Sequence, residues 1–86
     1  MITFTYTIRD SLGLHARPAG LIVKKSSEFT ENSITIQKEG KAVDAKRLFA
    51  VMSLGAKQGE QIHVQVEGPS EEETAESLRG FLETIL

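Results

Sequence analysis

Strictly alternating hydrophobicity is the feature that most constrains how this sequence folds. Residues 2–8 place an apolar or aromatic side chain at every second position, with a threonine at each position between them. The same alternation recurs over residues 33–37 and 61–67, and a shorter strand is predicted over 41–44, after a tight turn at Gly40. A period of two predicts strands with one buried face, and such strands typically form antiparallel sheets.

Three other segments show a helical period. The first predicted helix begins at Ala16, and the second covers residues 46–54 and is ended by Gly55. Ser70 begins the third, and its spacing from Glu73 predicts a capping box, in which each residue bonds the backbone N–H of the other. The positions predicted to face the core in the first and third helices are Ala19, Ile22, Val23, Ser26, Ala75, Leu78, Leu82 and Ile85.

The order of these elements predicts the fold class. Strand, helix, strand, strand, helix, strand, helix is typical of an α+β fold, because the strands are amphipathic and the helices need an apolar surface to cover. We expect an antiparallel sheet with helices on one side.

Composition excludes several classes of function. A length of 86 residues predicts one domain over residues 1–86, and the absence of cysteine excludes disulfides and thiolate metal sites. The net charge of −2 argues against non-specific binding to nucleic acid, which needs a basic surface. No apolar run approaches the ~18 residues of a membrane span, and the first residues lack a signal-peptide pattern. We therefore expect a cytoplasmic protein without membrane insertion.

The segment Gly-Leu-His-Ala-Arg-Pro-Ala, residues 13–19, carries the clearest chemical signal. It places His15 just before a predicted helix, where the free N–H groups of Ala16 and Arg17 and the helix dipole favour an anion. The Arg17 guanidinium suits phosphate oxygens, so a nucleophilic imidazole would lie beside a phosphate site. These residues alone leave an equally weighted alternative, in which His15 is a capping or surface histidine and Arg17 a solvated charge.

Residues 13–19 resemble the active-site signature of the HPr family, the histidine-containing phosphocarriers of the bacterial phosphoenolpyruvate:sugar phosphotransferase system. Residues 51–55, Val-Met-Ser-Leu-Gly, resemble its second signature, and the similarity covers essentially the whole chain. The resemblance implies an open-faced β-sandwich, a four-stranded antiparallel sheet covered on one face by three helices. It also implies that His15 is the phosphohistidine and Arg17 the phosphate-binding arginine.

The resemblance further implies a docking surface on the short helix. Leu48, Phe49 and Met52 would contact both the phosphoryl donor and the acceptors, whereas Val51 is expected in the core. Lys24 is either a charge at the rim of this surface or a solvated side chain. The implied partners are Enzyme I and the IIA domains of sugar permeases, served by a monomeric carrier that is not itself an enzyme.

One position departs from the family. Many Gram-positive members carry a serine at the start of the short helix that a dedicated kinase phosphorylates, and Arg47 occupies that position here. Arginine cannot accept this phosphate, and Ser53 corresponds to a different position. The resemblance thus implies a carrier without this regulatory site, which fits a specialised paralogue.

Two alternative functions remain open at this point. The same chemistry could serve a nitrogen-type or other regulatory phosphorelay without transport, or the chain could be a binding module that transfers nothing. His15 argues against the second, because family members devoted only to regulation can lack this histidine. His63 lies on the polar face of its strand and is predicted to be structural or solvated. No third donor accompanies the two histidines, so we predict no metal and no cofactor.

Overall fold

The computed structural model describes all residues from Met1 to Leu86 and has the predicted order of elements. The strands and helices, in chain order, are β1 (Ile2–Thr7), α1 (Ala16–Ser27), β2 (Ser33–Lys38), β3 (Lys41–Asp44), α2 (Leu48–Met52), β4 (Gln61–Glu67) and α3 (Glu71–Ile85). None of the helices is both long enough and apolar enough to cross a membrane.

The four strands form one antiparallel sheet in the order β1-β4-β2-β3. Val66 of the central strand β4 lies between Ile2 of β1 and Ile34 of β2. Because paired residues point to the same side of a sheet, this register collects the apolar residues on one face. The opposite face is polar, with exposed side chains at Thr5 and His63. The predicted open-faced α+β fold is confirmed.

The helices bury the apolar face of the sheet in one core. This core contains 19 buried hydrophobic residues, and complete burial of a large aliphatic side chain contributes about 1.5–3 kcal/mol. The helical positions predicted to face the core are buried, except that Val23 and Ile85 are half-buried at its edge.

The backbone oxygen of buried Leu86 accepts hydrogen bonds from the N–H groups of Arg9 and Asp10, at 2.8 and 2.7 Å. The end of α3 is thereby tied to the segment that precedes α1.

The predicted capping box at α3 is wrong. Ser70 is the N-cap residue, but its φ of −115° and ψ of 32° are not the extended conformation that directs a capping side chain toward the helix. Neither its hydroxyl nor the Glu73 carboxylate bonds a backbone N–H group of the first turn. The helix begins instead with a backbone bond from Thr74 N–H to Ser70 O at 2.9 Å.

The bounds of three predicted elements also change, and the first change is that β2 continues one residue beyond the predicted alternation, to Lys38. Strand β1 ends at Thr7 rather than Ile8, and α2 covers five residues instead of residues 46–54. The backbone N–H of Lys46 donates to the Asp44 carboxylate at 2.8 Å, and Arg47 is extended, with φ of −120° and ψ of 113°. This turn delays the start of α2 to Leu48.

Candidate functional site

The loop between β1 and α1 is shaped by Asp10. The Asp10 carboxylate accepts a hydrogen bond from Leu12 N–H at 2.8 Å, and its backbone oxygen accepts one from Gly13 N–H at 3.0 Å. Aspartate favours such turns because its short side chain reaches the backbone two residues later. Residues 10–13 therefore form a turn, which reverses the chain toward α1.

Gly13 packs the end of this loop against the segment that follows α2. Its φ is +69°, and a Cβ atom at this position would lie 2.5 Å from the backbone oxygen of Ala56. The next N–H, that of Leu14, donates to the same oxygen at 2.8 Å, and the Leu14 side chain is buried. A left-handed backbone and a close approach both require glycine here, and together they fix where His15 begins the helix.

His15 is the N-cap residue of α1. Its extended backbone, with φ of −93° and ψ of −173°, leads into a first helical bond from Ala19 N–H to His15 O at 3.0 Å. The N–H groups of Ala16 and Arg17 donate to no acceptor in the chain, and Pro18 has no N–H. The helix therefore presents two free donors beside the imidazole, an arrangement suited to an anion.

An open cleft of about 460 Å³ brings the side chains of His15 and Arg17 together with the end of α3. The Arg17 side chain is exposed and forms no ion pair, so its guanidinium is free to bind an anion that enters this cleft. The residues that line the cleft are Asp10, Ser11, Leu12, His15, Arg17, Pro18, Leu21, Thr84 and Ile85.

Two lining residues that sequence reasoning did not assign to the site are notable for their chemistry, Asp10 and Leu12. The Asp10 carboxylate lies 3.8 Å from His15 Nε2, and Leu12 is an apolar side chain with 74% of its surface exposed. An aspartate in a predicted turn indicates only the turn, since the approach to His15 depends on how the loop closes. The polar context of Leu12, within Asp-Ser-Leu-Gly, was the available signal for an exposed apolar residue.

The predicted docking residues differ in accessibility. Phe49 is 81% exposed and Leu48 37% exposed, whereas Met52 is half-buried and packs against the core. Met52, predicted with Leu48 and Phe49 as part of a docking surface, is only partly exposed, because its side chain packs at the rim of the core. Lys24 is exposed on α1.

The other residues singled out from the sequence lie away from the cleft. Arg47 is exposed at the start of α2 and caps no backbone group with its side chain. The Ser53 hydroxyl donates to Ala50 O at 2.6 Å. His63 lies on the open face of the sheet, where Nδ1 is 3.2 Å from the Thr5 hydroxyl on the neighbouring strand.

Fold and site together define a class of protein. An open-faced sheet under three helices presents a histidine at a free helix N-terminus, beside an unpaired arginine and in a cleft open to solvent. Free N–H groups and a guanidinium both bind phosphate oxygens, so this geometry suits a protein that holds a phosphate group at a histidine.

Comparison with known proteins identifies the family. The sequence pattern described as "PTS HPr component phosphorylation site" matches residues 2–84. Phosphocarrier protein HPr of Lysinibacillus sphaericus is 40% identical over 82 residues, which are 95% of this chain and 92% of that protein. HPr-like protein Crh of Halalkalibacterium halodurans is 39% identical over 83 residues, 96% of this chain and 98% of that protein. The chain therefore belongs to the HPr phosphocarrier family of the phosphotransferase system.

The same family is found among solved structures. The crystal structure of HPr from Thermoanaerobacter tengcongensis is similar with a TM-score of 0.90 and 39% sequence identity. The similarity covers 98% of this chain and 93% of that one, so it includes every helix and strand described above.

Proposed function

We propose that this protein accepts a phosphoryl group on His15 from phosphorylated Enzyme I and passes it to IIA domains of sugar permeases. The observation that carries this proposal is the position of His15 at the N-terminus of α1, where two backbone N–H groups are free. Family membership supports it independently.

The chain contributes a nucleophile and hydrogen-bond donors that bind the negatively charged phosphoryl oxygens. A ring nitrogen of His15 forms the new bond to phosphorus, while the bond from phosphorus to the donor breaks and its electron pair stays with the donor. The free N–H groups of Ala16 and Arg17 and the Arg17 guanidinium bind the oxygens on which charge collects. The partners supply the rest of the catalytic site, so the chain acts as a carrier.

The proposal is tested by incubating the chain with Enzyme I and phosphoenolpyruvate and then measuring its intact mass. We expect the mass of one added phosphoryl group, which disappears when a phosphorylatable IIA domain is added. A chain whose mass does not change with active Enzyme I, in a reaction where another HPr is phosphorylated, contradicts the proposal.

Replacing Arg17 by alanine is expected to slow transfer without unfolding the protein, because the guanidinium has no partner in the unphosphorylated chain. Loss of a charge-assisted contact costs about 1.5–3 kcal/mol, which corresponds to a rate roughly 10- to 150-fold lower. Rapid-quench measurements of transfer from Enzyme I check this. Lys57→Ala, which removes an exposed positive charge outside the cleft, is the matched control and should transfer at the native rate. Equal rates for all three chains would make Arg17 a solvated surface charge.

We also propose that Leu48, Phe49 and Met52 form the docking surface for Enzyme I and the IIA domains, with Lys24 at its rim. Phe49 gives the sharper test, because Met52 is half-buried and its substitution would also disturb the core. Phe49→Glu is expected to raise the Kd for Enzyme I by at least about 10-fold, as removal of an apolar anchor typically does. Calorimetric titration measures the Kd.

The control for this substitution is Thr3→Glu, which adds the same charge on the open face of the sheet. Both variants should keep the native circular dichroism and Tm, since both positions are exposed. An unchanged Kd for Enzyme I in Phe49→Glu would show that Phe49 is not part of the docking surface.

A second candidate is a binding module that docks a regulator without phosphoryl transfer, and the chain is also similar to a protein described only as HPr-like, Crh. A chain that binds a partner through Phe49 but stays unphosphorylated in the mass measurement would favour it. A third candidate, a regulatory phosphorelay, uses the same chemistry with other partners. Neighbouring genes distinguish these circuits, since sugar permeases favour transport and a dedicated Enzyme I homologue favours a separate relay.

The proposed carrier works in the cytoplasm as a monomer and without a metal or cofactor. It lacks the serine regulation of Gram-positive relatives, since Arg47 has no hydroxyl to phosphorylate. Its exposed guanidinium gives this end of α2 a permanent positive charge.

A further inference from the structure

The Asp10 carboxylate is held in place more firmly than an ordinary surface carboxylate. Its Oδ1 accepts a hydrogen bond from Leu12 N–H at 2.8 Å. The backbone of Asp10 is fixed at both ends, by a bond from its N–H to Leu86 O at 2.7 Å and by one from Gly13 N–H to its oxygen at 3.0 Å. The charge therefore has a defined position before any partner binds.

This position faces one nitrogen of the His15 ring. Asp10 Oδ1 lies 3.8 Å from His15 Nε2, and no other acidic side chain is within ion-pair distance of the ring. The two side chains are 28% and 34% exposed, so water screens the contact only in part. The separation is longer than a hydrogen bond, as is common for catalytic pairs that tighten when the reaction begins.

We infer that Asp10 is a positioning residue for phosphoryl transfer, acting through the His15 ring; this role rests on the proposed function. The carboxylate keeps the ring proton on Nε2 and leaves the lone pair on Nδ1. It also stabilises the positive charge that appears on the ring when Nδ1 attacks. An aspartate beside the imidazole of a catalytic triad acts in the same physical way.

The step is balanced without any proton transfer. The Nδ1 lone pair forms the bond to phosphorus, the bond from phosphorus to the donor breaks, and that electron pair remains on the donor. Nε2 keeps its proton and the ring gains one positive charge, which faces the Asp10 carboxylate. The phosphoryl group is then on the other ring nitrogen, where the Arg17 guanidinium and the free N–H groups bind its oxygens.

The substitution Asp10→Asn removes the negative charge of the side chain and keeps the hydrogen bond that shapes the turn. Asparagine retains an Oδ1 that accepts the Leu12 N–H, so the loop should keep its shape while the negative charge is lost. We expect phosphorylation by Enzyme I and phosphoenolpyruvate to be about fivefold slower, since the pair is partly screened. Glu72→Gln, which removes an exposed carboxylate from the start of α3, is the matched control and should react at the native rate.

Nitrogen NMR of the His15 ring gives a second measurement that does not depend on Enzyme I. The native chain should show the neutral ring mainly with its proton on Nε2, and Asp10→Asn should raise the population with the proton on Nδ1. A native transfer rate and an unchanged ring proton in Asp10→Asn overturn the role of Asp10 alone. A native chain that is never phosphorylated overturns the proposed function, and this role with it.

Discussion

Replacing His15 by alanine is expected to abolish uptake of the phosphoryl group from Enzyme I. No other residue combines an imidazole with a free helix N-terminus, because the second histidine, His63, lies on the open face of the sheet beside Thr5. The measurement is radiolabel from phosphoenolpyruvate retained on the chain after separation, together with its loss in acid, which is typical of phosphohistidine.

His63→Ala is the matched control for this experiment and should be labelled like the native chain. It loses only an exposed contact with the Thr5 hydroxyl, so its stability should change by less than about 0.5 kcal/mol. Label that persists in His15→Ala, or that disappears in His63→Ala, would place the acceptor elsewhere.

Replacing Gly13 by alanine is expected to cause a large loss of stability. The left-handed backbone costs a residue with a Cβ atom about 1–2 kcal/mol, and here the methyl group would also overlap the backbone oxygen of Ala56. Because neither backbone segment moves easily, we expect a total cost of about 3 kcal/mol and a Tm lowered by more than about 10 °C. Thermal unfolding followed by circular dichroism measures both.

Gly55→Ala is the control that measures the cost of the left-handed backbone without a close approach. The difference in stability between the two variants then gives the cost of the close approach at Gly13. Gly55 has a similar φ of +60°, but nothing lies within 4 Å of the position that a Cβ atom would take. The free energy of unfolding of Gly55→Ala should therefore fall only by the cost of the left-handed backbone, about 1–2 kcal/mol. Transfer by Gly13→Ala should also slow, since the loop that fixes His15 must move. Equal Tm values for the two variants would show that the loop at Gly13 moves to accept the added methyl group at no additional cost in stability.

The sequence was sufficient to predict features that depend on local periodicity. The alternation in residues 2–8 and 61–67 predicted β1 and β4 to within one residue, and the stripe of Ala75, Leu78 and Leu82 predicted the buried face of α3. The position of His15 at a helix start was also predictable, because Pro18 and the change of period mark that start.

Features that depend on the packing of distant segments were not predictable in the same way. The approach of the Asp10 carboxylate to His15 requires the loop to be closed, and Leu86 O and Ala56 O contribute to that closure from other parts of the chain. Met52 was predicted as part of a docking surface, and its half-burial at the rim of the core depends on how α2 packs against the rest of the fold.

The central position of β4 has a consequence for how the chain folds. Strand β1 has no neighbour in the sheet except β4, and Ile2 must pair with Val66 across most of the sequence. Pairing between residues so far apart in the sequence is slow, because closing the long loop between them costs conformational entropy. The hairpin of β2 and β3 and the helices need only local contacts. The loop that carries His15 connects β1 to α1, so it has a fixed end only after β1 joins β4. During synthesis, we therefore expect the loop that carries His15 to reach its final shape only after β4 has joined the sheet and Leu86, whose backbone oxygen holds Arg9 and Asp10, has emerged.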